Sequence, residues 1–140
     1  MKLHKQRFAI LILAATGMLS AFLPWLKITD NQIIYGTQGD GWIVFMLFAV
    51  PLVMSLTENK SNSLNKHMFY GAVIPSLIAS IIGIYEIDNF NSTLSENEFI
   101  TTAVKEVASI QYGLYLAVVV GIVLPVVAFL LNDKKNNFSN

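Results

Sequence analysis

Four long runs of apolar residues constrain this chain more than any other feature of its sequence. No Lys, Arg or Asp occurs in these runs, and their one Glu, Glu86, lies one residue from an end. A helix needs about 20 mostly apolar residues to cross a hydrocarbon core of about 30 Å, because each residue rises about 1.5 Å. The sequence therefore predicts four transmembrane helices, namely Phe8 to Leu26, Gly41 to Thr57, Met68 to Ile87 and Gln111 to Leu131.

Composition narrows the class further. Only 13% of the 140 residues are charged, against about a quarter in an ordinary soluble domain. Nine basic residues balance nine acidic ones, so no net charge favours nucleic acid as a partner. The absence of cysteine excludes disulfides, thiolate metal sites and thiol nucleophiles. We expect one all-α membrane domain over residues 1–140, an antiparallel four-helix bundle, with no cofactor and no metal.

The basic residues predict the orientation of the spans. Seven of them fall in the N-terminus, the loop 58–67 and the C-terminus, which four spans place on one side, and two fall on the other. The positive-inside rule then predicts a multi-pass plasma-membrane protein whose termini are cytoplasmic. Segments 27–40 and 88–110 become acidic outer segments, and the Asn-rich tail 132–140 is expected to be disordered. Six aromatic residues lie near the predicted outer interface, namely Trp25, Tyr35, Trp42, Tyr85, Tyr112 and Tyr115.

The first run has a second interpretation. Met1 to Ala21 has a basic start and an apolar stretch, and Leu19, Ser20 and Ala21 offer a cleavage triplet, so it could be a signal peptide. We favour a span, because the apolar run continues through Phe22 and Leu23 into a Pro-Trp pair.

Small residues recur at about every fourth position in three runs, and such stripes let helix backbones approach closely in a membrane. We predict packing seams within the chain, with a homodimer seam as the alternative. Each run also contains one proline, of which Pro51, Pro75 and Pro125 are interior, and these could kink the spans. The predicted seam residues are Gly17, Ala21, Gly71, Ala79, Gly83, Gly113, Ala117 and Gly121.

The first outer segment predicts a hairpin, because β-branched residues flank the turn formers Asp30 and Asn31. It ends in Gly39-Asp40-Gly41-Trp42, where Asp40 is positioned to cap the second span. A cation site at Asp30 and Asp40 is the alternative.

The second outer segment contains a capping box, Ser95 with Glu98, followed by apolar residues at helical spacing. We predict an amphipathic helix that begins near Ser95 and continues into the fourth span. Glu86 and Asp88 lie just before it, and Glu86 is an unfavourable acid if the third helix ends there. The sequon at Asn91 is relevant only in a eukaryotic secretory setting.

Two resemblances follow from these motifs. Leu23-Pro24-Trp25, Gly39-Asp40-Gly41-Trp42 and Gly113-Leu114-Tyr115 resemble a set of small bacterial four-span proteins of unassigned function. The topology also resembles, more distantly, the claudin-like superfamily, which implies four spans and a β-containing first outer loop. Claudins have Gly-Leu-Trp and two cysteines in that loop, and this chain has neither, so the resemblance implies architecture rather than an activity.

These observations favour a non-catalytic membrane protein that binds a membrane-protein partner, a lipid or an extracytoplasmic ligand through its acidic cap. An immunity or accessory protein is one such role. The candidate interaction residues are Pro24, Trp25, Gly39, Asp40, Gly41, Trp42, Glu86 and Asp88. An oligomeric transporter or channel subunit lined by Thr16, Ser20, Ser76 and Ser80 is the alternative. A lipid-modifying enzyme comes third, and requires Asp40, Glu86 or Asp88 to converge.

Overall fold

A computed structural model describes residues 3–57, 61–96 and 102–132. The chain is mostly helical, as the long apolar runs predict, and it also carries one small three-stranded sheet. Its elements in order are α1 Lys5–Ser20, β1 Pro24–Thr29, β2 Gln32–Tyr35, a 3-10 turn Gly36–Gln38, α2 Gly41–Leu56, α3 Lys66–Glu96, α4 Thr102–Val107, β3 Ser109–Ile110 and α5 Tyr112–Leu130.

The four long helices pack in a ring. Helix α1 contacts α2 and α5, and α3 contacts the same two helices from the other side. The start of α1 lies at the ends of α2 and α5, since Arg7 donates to the carbonyl of Thr57 and Gln6 to that of Ala128. Gly71 near the start of α3 likewise faces Met54 near the end of α2. Neighbouring helices in the ring are therefore antiparallel.

Two of these helices are long and apolar enough to cross a membrane. They are α3, of 31 residues, and α5, of 19 residues. Helix α2 is apolar but has 16 residues, which give about 24 Å at 1.5 Å per residue. It begins at the predicted residue, Gly41, and ends one residue before the predicted Thr57.

The first helix ends six residues earlier than the predicted Leu26, at Ser20. Three turn-type hydrogen bonds follow, in which the amides of Ala21, Phe22 and Leu23 each donate to the carbonyl three residues earlier. Leu23 precedes Pro24, and a residue before proline is disfavoured in the helical conformation, so the chain leaves the helix here. Pro24 consequently opens β1, and the expectation of one proline in every helix is wrong for α1, while Pro51, Pro75 and Pro125 are helical.

The predicted hairpin is confirmed, and it gains a third strand. Strands β1 and β2 pair antiparallel, with Lys27 opposite Ile33. Strand β3 pairs antiparallel with the free edge of β1 and places Ile110 opposite Leu26. The sheet order β2-β1-β3 thus joins the two segments that sequence analysis placed outside the membrane.

The predicted amphipathic helix is wrong in its boundaries. Ser95 lies in the last turn of α3, where its hydroxyl donates to the carbonyl of Ser92, so it does not begin a helix. Glu98 lies outside the described residues, as does the tail from residue 133. The short α4 is separated from α5 by β3 and extended Gln111, because pairing with β1 draws this backbone out of a helix.

Small residues are common between the helices and large apolar residues are common on their outside, whereas a soluble protein usually buries its large apolar residues. Most residues buried between the helices are small, among them Ala14, Ala72, Ala79, Ala117 and Ala128. Many large apolar side chains instead lie on the outside of the four long helices, as Phe8, Met46, Ile81 and Phe129 illustrate. Soluble monomers rarely expose contiguous apolar patches of more than a few hundred Å².

Candidate functional site

The sheet, the turns beside it and α4 form one end of the bundle, residues 21–40 and 102–111, which we call the cap. Trp25 is the centre of the cap. Its side chain is 4% exposed, and its indole Nε1 donates to the Ser20 carbonyl at 2.9 Å. Its own carbonyl accepts from the amide of Gln111 at 2.8 Å. Trp25 therefore connects α1, β1 and the start of α5, and its prediction as an interfacial ring is wrong.

Close backbone approach joins the cap to the helices. A Cβ added to Gly41 would lie 2.4 Å from the backbone of Gly36, and one added to Gly113 would lie 2.5 Å from the Pro24 carbonyl oxygen. Neither position has room for a side chain, because the facing atoms belong to backbone. Gly39, by contrast, is exposed and has open space around it.

Asp40 is the N-cap residue of α2, but its side chain makes no capping hydrogen bond within this described helix end. Its ψ of 0° is already helical, whereas an N-cap residue needs an extended conformation to turn its side chain back onto the first amides. The predicted capping role is therefore wrong. The carboxyl of Asp40 instead lies near that of Glu86.

Among the described residues, the candidate acids that the structure brings close together across two helices are Asp40 and Glu86. Glu86 is half-buried on α3, which continues to Glu96, so Glu86 does not occupy an unfavourable helix C-terminus as the sequence suggested. Asp88 is exposed and, among the described residues, makes no hydrogen bond or ion pair. Asp30 forms an ion pair with Lys27 at 2.8 Å on the hairpin.

An aromatic cluster lies beside Asp40. The ring of Trp42 meets those of Phe22 and Phe45 edge-on, at centroid distances of 6.0 and 5.8 Å. Trp42 is 49% exposed, so this cluster covers the outside of α1 and α2 at the cap end of the bundle. Tyr35, Tyr85, Tyr112 and Tyr115 are exposed around the same end, as the sequence predicts.

The predicted seam residues all lie between elements of this chain. Gly17 faces the Phe48 ring, Gly83 faces Val118, and Gly121 faces the backbone of Ser76 and Ser80. Ala21, Ala79, Gly113 and Ala117 are buried, and Gly71 is partly buried against Met54. The stripes thus serve packing within one chain.

The opposite end of the bundle, which we call the Arg7 end, holds a polar cluster that the sequence reading missed. Arg7 is 1% exposed. Its Nε donates to the Asn62 carbonyl at 2.7 Å, and its Nη1 donates to the carbonyls of Thr57, Ser55 and Met54. These last three carbonyls belong to the end of α2, where helix carbonyls lack partners and carry partial negative charge.

Gln6 completes this cluster. Its amide nitrogen donates to the Ala128 carbonyl at 2.6 Å, and its amide oxygen accepts from the backbone of Leu64 at 2.8 Å. Two adjacent side chains of α1 therefore bind α2, the following loop and α5.

A sequence signal for this cluster existed. Arg7 lies on the helical face shared by Ile10, Ala14, Gly17 and Ala21, which is the seam that α1 turns toward the bundle. A residue on the same helical face as those small residues is expected to point into the bundle. The charge count used for the orientation treats Arg7 only as a basic residue near the membrane and does not consider which face it occupies.

The interior hydroxyls are all engaged by backbone. Ser20 donates to the Gly17 carbonyl, Ser76 to that of Val73 and Ser80 to that of Val118. Thr16 donates to Ile12. Within the described ranges, no group of three or more His, Asp or Glu side chains that could hold a metal ion occurs.

Comparisons with protein-family models, with curated proteins and with solved structures find no match to this chain. Its function therefore has to be inferred from its own geometry.

Proposed function

We propose that this chain is a four-span integral membrane protein of the plasma membrane whose cap binds a partner outside the cytoplasm. One observation carries the membrane assignment: large apolar side chains face outward on all four long helices, and small residues fill the seams between them. Lipid tails are as apolar as leucine, so helices in a membrane associate through close backbone contact and leave their large side chains to the lipid. Exposing these apolar side chains to water would be unfavourable.

The proposal includes α1 and α2 as spans although each has 16 residues. The two helices pack on each other, α1 also packs on α5 and α2 on α3, so that α1 closes the ring between α2 and α5. This integration favours a retained span over a cleaved signal peptide, since Gln6, Ile10 and Gly17 are all buried. The basic residues near the Arg7 end then favour a cytoplasmic location for both termini.

The cap is the proposed binding surface. The buried Trp25 and the three-stranded sheet hold it in one conformation, and its exposed carboxylates include Asp30, Asp40 and Glu106. A binding role needs only a rigid, chemically distinctive surface. The hydrogen-bonded interior serines favour it over a polar transport path.

Membrane topology is directly testable because the chain contains no cysteine. Single cysteines at exposed Asn91 and Ser61 would be treated with a membrane-impermeant maleimide in intact cells. We expect Asn91→Cys to react from outside and Ser61→Cys to react only after permeabilisation. The reverse pattern, or reaction of both in intact cells, would overturn the proposed orientation.

The binding surface is testable by photocrosslinking. A photoreactive amino acid replacing exposed Gln32 on β2 should give a discrete crosslinked species in native membranes. The matched control at Ile122, an exposed residue of α5, should give lipid adducts only. Equal crosslinking at both positions, or none at Gln32, would argue against the cap as the interface.

A further inference from the structure

Each long helix has a residue that contacts a neighbouring segment at each end of the bundle, and the distance between the two ends can be read from the positions of these residues. On α1, the markers are Arg7 and Ser20, whose carbonyl accepts from Trp25. On α2, they are Gly41, against the backbone of Gly36, and Ser55, which accepts from Arg7. These pairs are 13 and 14 residue steps apart, so they span roughly 20 and 21 Å at 1.5 Å per step.

The other two helices give the same spacing independently. On α3, Gly71 faces Met54 at the Arg7 end, and Glu86 faces Asp40 at the cap end. On α5, Gly113 faces Pro24 and Ala128 accepts from Gln6. Both pairs are 15 residue steps apart, which corresponds to roughly 22 Å.

The exposed apolar side chains end at similar levels. On α2 they run from Trp42 to Leu56, and on α3 from Tyr70 to Tyr85, which again gives roughly 21 to 22 Å. On α5 they run from Tyr112 to Leu130, roughly 27 Å before any tilt. Every value lies below the 30 Å or so of an average hydrocarbon core, and tilting a helix shortens its contribution further.

We infer that the lipid-facing surface of this protein fits a bilayer with a hydrocarbon core of roughly 20 to 25 Å, so that it selects short-chain phospholipids from a mixed membrane. This inference rests on the proposed membrane-spanning function. Its occupant is a phospholipid bilayer, because the contacts at the two ends are roughly 20 to 22 Å apart on all four helices and each helix presents large apolar side chains on its outside. A thicker bilayer must thin locally around the protein, and short acyl chains lower that cost.

The test measures which lipids contact the protein. A tryptophan at the mid-depth, exposed position Ile78 serves as reporter, in the full chain carrying Trp42→Phe and Ile78→Trp. Buried Trp25 contributes a constant background. The protein is reconstituted in vesicles of brominated dioleoylphosphatidylcholine, which quenches the reporter, mixed with dimyristoleoyl-, dioleoyl- or dierucoylphosphatidylcholine. Recovery of fluorescence measures how well each lipid displaces the brominated one.

We expect dimyristoleoylphosphatidylcholine to displace the quencher about threefold better than the dierucoyl lipid. Adding Asp40→Leu and Glu86→Leu removes the carboxyls that limit the apolar band at the cap end, and should move the preference toward longer chains. Asp88→Asn, which leaves that limit in place, should not. Equal displacement by all three lipids, or a preference for dioleoyl or longer chains, would overturn the thickness inference alone. Absence of quenching in every mixture would overturn the membrane-spanning proposal itself.

Discussion

The two ends of the bundle are held together by different means. At the Arg7 end, two adjacent side chains donate to or accept from the main chain of three other segments. At the cap, backbone pairs with backbone in the sheet, glycines allow close contact, and a single indole hydrogen bond fixes the centre. At the Arg7 end, the stabilising contacts therefore come from two side chains, whereas at the cap they are spread over many backbone groups. Substitutions should have the largest effect at the Arg7 end.

The largest effect is expected for Arg7→Ala. It removes a buried cation that binds four carbonyls and leaves the end of α2 without partners. Since hydrogen bonds to charged groups contribute about 1.5 to 3 kcal/mol, the free energy of unfolding should fall by about 3 kcal/mol. Denaturant unfolding in detergent micelles, followed by tryptophan fluorescence, measures this. The control Lys5→Ala, at an exposed position, should change little, and equal losses in both variants would contradict the proposed role of Arg7.

Gly113→Ala should have the next largest effect and act on the cap. The added methyl would lie 2.5 Å from the Pro24 carbonyl oxygen and 2.7 Å from the Leu23 Cβ, so α5 must move away from β1. Overpacking of this kind typically costs about 1 to 3 kcal/mol. The same unfolding assay should show a loss of about 2 kcal/mol. Gly39→Ala adds the same methyl in open space and should be close to neutral; a loss there as large would contradict the steric explanation.

Trp25→Phe keeps an aromatic ring but removes the indole hydrogen bond to the Ser20 carbonyl and part of the buried ring. The Ser20 carbonyl keeps the Leu23 amide as a donor, so we expect a loss of about 1.5 kcal/mol from the lost indole bond together with the lost packing. Hydrogen exchange of the Gln111 amide, which donates to the Trp25 carbonyl, should accelerate as β1 loosens. The matched substitution Trp42→Phe should leave that amide unchanged. Unaltered exchange in Trp25→Phe would show that the indole does not hold the cap.

Glu86→Gln should stabilise the protein slightly. The carboxyls of Asp40 and Glu86 lie near each other and repel when both are ionised, whereas a glutamine amide is uncharged and can donate to the remaining carboxyl. We expect the free energy of unfolding to rise by about 0.5 to 1 kcal/mol. Asp88→Asn makes the same chemical change at an exposed position without this neighbour and should have no effect. Destabilisation by Glu86→Gln would mean that the acid itself is required.

The sequence predicts the cap hairpin and the seam glycines because their signals are local. Turn formers at Asp30 and Asn31 fix the hairpin, and repeated small residues such as Gly83 and Gly121 mark where helices meet. The third strand could not be predicted in this way, because Ser109 and Ile110 adopt it only through pairing with distant β1. The helical pattern around them indicated a continuous helix, and the tertiary contact overrode it.

The candidate-site residues also differ in whether local sequence or tertiary contact determines their placement. The pairing of Asp40 with Glu86 depends on how α2 and α3 meet, which no spacing within either segment reveals. Residue type alone favours a position at the membrane interface for Trp25, whereas in the structure the ring is buried and its indole donates a hydrogen bond to the Ser20 carbonyl. The burial of Arg7 was accessible from its register with Ala14 and Gly17, which shows that helical phase should be weighed before a basic residue is counted as a surface charge.

The central position of β1 also governs the order of assembly. Its first partner, β2, follows it immediately, whereas its second partner, β3, comes just before the last long helix. A nascent chain can therefore form the hairpin early but cannot finish the sheet until the segment preceding α5 has reached the same side as β1. The completed sheet thus fixes where the final helix begins, and a chain in which the segment before α5 is misplaced would leave one edge of β1 open.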